Sequence, residues 1–241
     1  MSEWLGLTGK RVLVAGAGGL GGACATAFAD AGASVIAADI QARELPGVRT
    51  VAADMSTSDG CRELVDSAAT KLGGLDVLVH SVGQNIRKPV LETSDEEWQS
   101  ILNLNLSTVF WLGKAAGKLM CAQGYGRQVH LSSVAGLLAH PAHGPYAASK
   151  GGLNQIVRVM AREWASSGVT VNAVAPGYTE TPLTEEHLAK PGVRDELTGL
   201  VPAGKLGSVS DVVGPILFLA SDQASFVTGH VLYVDGGRTL V

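Results

Sequence analysis

Short aliphatic runs alternate with helix-length segments along almost the whole chain, and that alternation restricts the fold more than any other feature. "RVLVAG" (Arg11–Gly16), "ASVIAAD" (Ala33–Asp39), "VRTVAAD" (Val48–Asp54) and "LDVLVHS" (Leu75–Ser81) read as the first four strands. "RQVHLSS" (Arg127–Ser133), "VTVNAVAPG" after Gly168 and "HVLYVDGG" near the end read as three more. Gly19–Ala31, Ser58–Leu72, Asp95–Cys121, Tyr146–Ser167 and Asp211–Ser221 read as helices between them. The fourth of these carries an apolar stripe at Leu153, Val157, Met160 and Trp164, spaced by three and four. Strands alternating with helices predict an α/β fold: a single doubly wound (Rossmann) parallel sheet of about seven strands, with helices on both faces. Right-handed crossovers would gather the strand C-termini on one edge, where ligands bind. No linker or internal repeat interrupts residues 1–241, so one domain is expected. The charged, irregular stretch Pro182–Leu200 is expected to form a mobile helical lid.

The first strand runs into "AGAGGLG", Ala15 to Gly21. With 31 glycines in 241 residues, about 0.5 chance matches to G-x-G-x-x-G are expected, so the pattern alone decides little. Its setting decides more. Gly16, Gly18 and Gly21 follow a strand and open a helix, which is the context of a pyrophosphate-binding turn. The helix N-terminus adds partial positive charge there. Asp39 ends the second strand at the distance expected of the residue that accepts from the adenosine ribose hydroxyls. A carboxylate would repel a 2′-phosphate, so NAD is expected as the preferred cofactor, while Arg43 leaves NADP possible. No G-x-x-x-x-G-K-[ST] occurs to support phosphoryl transfer by a P-loop.

Composition excludes other classes. The chain is 46% hydrophobic and 17% charged, with net charge −4 and no basic cluster, which argues against a nucleic-acid partner. No signal peptide is read at the amino terminus, and no run of 18 apolar residues would span a membrane. Cys24, Cys61 and Cys121 are too few and too scattered for a disulfide framework or a metal clip. They read as reduced thiols of a cytoplasmic protein, and no metal is expected.

In "HLSSVAG…YAASKGG", Tyr146 and Lys150 stand four apart at the start of a helix, 13 residues past Ser133. At that spacing the two side chains share a helix face. An ammonium fixed near a phenol favours the phenolate, which can take a proton from an alcohol or return one to a carbonyl oxygen.

With these motifs in this order over essentially its whole length, the chain resembles the short-chain dehydrogenase/reductase family. The resemblance implies hydride transfer between a nicotinamide cofactor and a secondary alcohol or ketone. Ser133 would then hold the reacting oxygen, Tyr146 would transfer the proton, and Lys150 would also bind the nicotinamide ribose. Asn105 in "ILNLNLSTVF" would anchor a water relaying protons to the lysine. Gly19 and Leu20 belong to the cofactor turn; Asp54 and Met55 would contact adenine, with Ser81 and Gly83 near the adenosine half. In "APGYTET", Pro176, Gly177, Thr179 and Thr181 would meet the carboxamide and phosphate. Asn172 and Asp235-Gly236-Gly237 look structural.

Two departures stand out. The glycine turn is one residue shorter than the family's T-G-x-x-x-G-x-G and lacks its threonine, and "HSVG" (His80–Gly83) replaces N-N-A-G. The latter is expected to change packing around the adenosine half. "NIRKPVLE", "REWA" and "APGYTET" look most like gluconate 5-dehydrogenases and 2-deoxygluconate 3-dehydrogenases. That likeness implies a small-molecule substrate of the sugar-acid or polyol type. Arg87 would pair with its carboxylate; His140, His143 and Tyr178 would border its pocket. Reduction of a 3-oxoacyl thioester and catalytically silent NAD(P) sensing are the alternatives. Relatives of this kind are homotetramers or homodimers.

Overall fold

The computed structural model describes residues 2–241, with side chains from Trp4 onward. Seven strands form one sheet: β1 (Arg11–Ala15), β2 (Ser34–Asp39), β3 (Arg49–Ala52), β4 (Val77–His80), β5 (Gly126–Leu131), β6 (Val169–Pro176) and β7 (Val231–Val234). Their order is β3-β2-β1-β4-β5-β6-β7, and every neighbouring pair is parallel. The order reverses between β1 and β4. There the two crossovers leave in opposite directions and open a crevice at the strand C-termini. The expected doubly wound α/β sheet is the one observed.

Alternation along each strand divides the core in two. Leu13 and Ala15 of β1, with Ile36 and Leu78, face α2 (Ser58–Leu72), α4 (Thr108–Gln123) and α5 (Gly144–Trp164) through Leu64, Leu112 and Val157. Val12 and Val14, with Val35 and Val77, face α1 (Gly19–Asp30) and α8 (Val209–Leu219) through Phe28, Val212 and Ile216. Each large side chain buried this way contributes about 1.5–3 kcal/mol.

Helix ends are specified locally. Thr57 caps α2 by accepting from Gly60 N, and Gly73 ends it at φ +75°. Ser94 and Glu97 make a reciprocal capping box on α3 (Asp95–Leu102), and Ser208 with Asp211 makes another on α8.

The expected single helix Asp95–Cys121 differs in form. A π-helical turn, Asn103–Ser107, separates α3 from α4. Thr108, the first residue of α4, donates its Oγ1 proton back to the Leu104 carbonyl of this turn at 2.6 Å. A single π-turn is a local change of hydrogen bonding inside an otherwise helical run, and residue type does not announce it. The lid segment is α6 (Pro182–Leu188) and α7 (Val193–Gly199), parted before Gly192 at φ +77°. As expected, Asn172 and Asp235 are structural. Asn172 pairs with Val227 O and His230 N, and Asp235 accepts from Gly237 N and Thr239 N.

Candidate active site

A cavity of about 620 Å³ lies over the C-terminal ends of β1, β2 and β4. One wall is the glycine turn, where Gly16, Gly18, Gly19 and Leu20 face the space. Gly16 sits at φ +90°, and a Cβ there would stand 2.7 Å from the Ser81 carbonyl carbon. A Cβ on Gly18 would meet only Asp39 Oδ2, at 3.9 Å. Gly18 is the N-cap of α1 and offers no side chain, and the first turn has no acidic residue, so its free N–H groups serve an external acceptor. Gly21 is not on the cavity wall: a Cβ there would fall on the Gly16 carbonyl oxygen, so it lets the helix close on the turn.

Asp39 is more occupied than its spacing suggests. Oδ2 accepts from Ala17 N at 3.0 Å and Oδ1 from Ile40 N at 2.8 Å, while Arg43 Nε lies 3.7 Å from Oδ2. The carboxylate therefore ties the shortened turn to β2 as well as facing the cavity. Asp54, Met55, Ser81 and Gly83 line the same space, with Asp54 Oδ1 accepting from Ser56 N. Pro176, Gly177, Thr179 and Thr181 line the opposite wall. Thr181 Oγ1 is 3.2 Å from Thr184 Oγ1, and Pro182 reaches the turn, 3.6 Å from where a Gly19 Cβ would be. An open, side-chain-free turn at an uncapped helix N-terminus, with a carboxylate beside it, fits a dinucleotide.

Ser133, Tyr146 and Lys150 meet at the inner end of this cavity. Ser133 Oγ accepts from Ala135 N at 3.1 Å, leaving its O–H free to donate. Ser132 instead gives its hydroxyl to Asn154 Oδ1 at 2.6 Å and is structural. Lys150 Nζ donates to the Leu131 carbonyl at 2.7 Å, and burial brings its pKa down to about 8. The Tyr146 phenol is pushed up by burial and pulled down by the Ser133 hydroxyl and the Arg87 charge. Lys150 Nζ stands 5.6 Å from the Tyr146 ring centroid while donating to Leu131 O, and the Arg87 charge adds to the pull on the phenol.

Asn105 lies beneath the cavity, fully buried. Its Oδ1 accepts from Gln84 N at 2.8 Å, and Nδ2 donates to Gln84 O at 2.8 Å and to Ser149 Oγ at 3.3 Å. Both N–H donors are used, and Oδ1 keeps one acceptor lone pair. His80 also lies off the cavity wall: it is fully buried, paired across the sheet with His130, and bonded through Nε2 to Thr108 Oγ1 at 2.8 Å. So His80 of "HSVG" supports the start of α4 through Thr108, while Ser81 and Val82 face the cavity.

A second cavity of about 540 Å³ adjoins the first. Arg87, His140, His143 and Tyr178, the four expected substrate contacts, all line it. His143 Nδ1 donates to Pro141 O at 2.8 Å, leaving Nε2 as an acceptor. Sequence reasoning missed Asn85, His187, Lys190 and Arg238 on the same wall. Arg238 follows β7 and reaches the site only because the sheet brings that strand's C-terminal end to the same edge as the others. No group of three metal-ligating side chains occurs among the described residues, and no described helix is long and apolar enough to cross a membrane.

A family model described as Enoyl-(Acyl carrier protein) reductase matches residues 14–239. The 3-oxoacyl-(acyl-carrier-protein) reductase of Thermotoga maritima is 37% identical, covering 97% of this chain and 99% of its own. Gluconate 5-dehydrogenase of Gluconobacter oxydans is 34% identical over 97% of this chain and 96% of its own. The crystal structure of a gluconate 5-dehydrogenase from Burkholderia cenocepacia, in complex with NADP and tartrate, superposes with TM-score 0.92 at 32% identity, covering 97% and 96% of the two chains. The glycine turn, the Ser133–Tyr146–Lys150 group and these matches lead to one conclusion: the chain belongs to the short-chain dehydrogenase/reductase family and is a nicotinamide-dependent oxidoreductase acting on CH–OH groups.

Proposed function

We propose that the substrate is a hydroxylated acid or polyol of the sugar-acid type, and that NAD is preferred over NADP. The observation that carries this reading is that Ser133 and Tyr146 belong to both cavities at once. A group bound in the second cavity would present its reacting carbon at their junction, opposite the dinucleotide space. Arg87 in that cavity supports an anionic substrate.

In oxidation, the Tyr146 oxygen takes the alcohol proton as hydride leaves the same carbon; in reduction it returns a proton to the carbonyl oxygen. Bound nicotinamide supplies the hydride acceptor or donor. Ser133 donates to the reacting oxygen. Lys150 has two N–H groups left for the nicotinamide ribose once Leu131 O has taken one. Asn105 would anchor a water relaying protons to Lys150, with one acceptor lone pair left on Oδ1 beside the Gln84 N–H. Gly16, Gly18, Gly19 and Leu20 would hold the pyrophosphate, Asp39 the adenosine ribose, and Asp54 with Met55 the adenine. Ser81 and Gly83 would face the adenosine half, and Pro176, Gly177, Thr179 and Thr181 the nicotinamide half.

A 3-oxoacyl thioester is the second reading, favoured by the Thermotoga relative. The cationic second cavity favours the acid. We read residues 1–241 as one domain with a lid at 182–200, consistent with Pro182 against the glycine turn. Partly exposed Phe110 and Val159 on α4 and α5 support a homotetramer through those helices, and the free thiols suit a cytoplasmic setting. Turnover of sugar acids, polyols and 3-oxoacyl thioesters with each cofactor tests the reading. Sugar-acid or polyol oxidation with NAD is expected; thioester reduction alone, with NADPH, would overturn it.

A further inference from the structure

The second cavity contains more cationic and unpartnered groups than one carboxylate requires. Its wall carries three permanent cations, Arg87, Lys190 and Arg238, against Glu196 alone. Two of these stand on different sides. Arg87 lies in the loop after β4, and Arg238 follows β7, three strands along the sheet. His140 shares the cavity wall with Arg238 and lies against Tyr178, which follows β6, with ring centroids 5.9 Å apart.

The Arg238 side has the features of an anion subsite. Arg238 Nη1 donates to the Val241 oxygen at 2.9 Å, and the guanidinium makes no ion pair with any described side chain. Its Nε is buried and has no hydrogen-bond partner. His140 Nε2 is likewise buried and unpartnered. The Tyr178 hydroxyl is 3.4 Å from His140 Nδ1; when it donates there, Nε2 carries the ring proton. Two buried N–H donors on one cavity wall then lack an acceptor, which is costly unless a ligand supplies one. Donors on one wall suit the paired oxygens of a carboxylate or phosphate.

We propose that Arg238 and His140 form a second anion subsite, so that the substrate is a hydroxylated acid carrying another acidic group at its far end. Building on the sugar-acid reading above, this narrows the class from monoacids to aldarates or phosphorylated aldonates. Arg87 takes the anion near the reacting carbon, and Arg238 with His140 takes the distal one.

The test is a panel of hexitols, aldonates, aldarates and 6-phosphoaldonates in gluco and galacto configurations, with NAD and NADP. Inhibition constants against the best substrate serve wherever turnover is absent. Dianions are expected to exceed their monoanions at least tenfold in kcat/KM or in inhibition, and the better of aldarate and phosphoaldonate identifies the group. Arg238→Met is expected to cost the dianions at least tenfold more than the monoanions, and Arg238→Lys to restore part of the difference. Cofactor titration of each variant reports that it is folded. Equal use of monoanions and dianions, or an equal loss on both in Arg238→Met, overturns the subsite while leaving the sugar-acid reading intact. Turnover of 3-oxoacyl thioesters with no response to any of these acids overturns both.

Discussion

Both ends of the Asn105 carboxamide close on one residue: Oδ1 accepts from Gln84 N and Nδ2 donates to Gln84 O, each at 2.8 Å. The side chain acts as a strand partner for the loop after β4, and the π-turn is what brings it there. Asn105→Ala would leave both Gln84 groups unpaired in a partly buried setting, a loss of about 2 kcal/mol. For a chain of this size that lowers Tm by roughly 4–8 °C. Calorimetry with and without cofactor checks this, and an unchanged Tm would count against the positioning role.

Acid stability should depend on the buried His80–His130 pair. Burial holds His130 down to about 3 and His80 well below its ordinary value. Below pH 6.5 the unfolded chain takes up protons that the folded protein refuses. Stability is therefore fully present above 6.5 and falls as pH drops toward 3, by about 1.4 kcal/mol per pH unit for His130, with His80 acting in the same direction. Urea denaturation of His130→Gln between pH 6.5 and 4 should show a slope smaller by one proton. An identical slope would mean that this histidine titrates in the folded state.

Cofactor choice is expected to turn on Asp39 and its neighbour Arg43, 3.7 Å away. Asp39→Ser removes the charge facing a 2′-phosphate and frees Arg43. The ratio of kcat/KM for NADP over NAD should rise at least tenfold. Some stability should also be lost, because Ala17 N–H would lose its acceptor. A ratio that does not move would place discrimination elsewhere in the cavity.

Much of this was legible in the sequence because it is local. Strand runs, the glycine turn, Asp39 and the pairing of Tyr146 with Lys150 are each written within a few residues or at a fixed spacing. The π-turn was not legible, since its residues occur in ordinary helices and only the hydrogen bonding changes. Arg238 and His187 were not legible either, because only the strand order carries them to the edge where Ser133 stands. One partner of Lys150 is not legible for a related reason. Spacing on a helix gives proximity to Tyr146, but the Leu131 carbonyl that holds Nζ comes from another strand.

The central claim is that Tyr146, at the junction of the two cavities, moves the proton that accompanies hydride transfer. Tyr146→Phe keeps the ring and removes only the hydroxyl. Steady-state turnover of this variant, paired with cofactor titration by fluorescence, tests the claim most directly. The expected result is cofactor affinity within about threefold of the parent and turnover reduced by about 10²–10⁴-fold. Turnover at the parent rate, with cofactor bound as before, would contradict it.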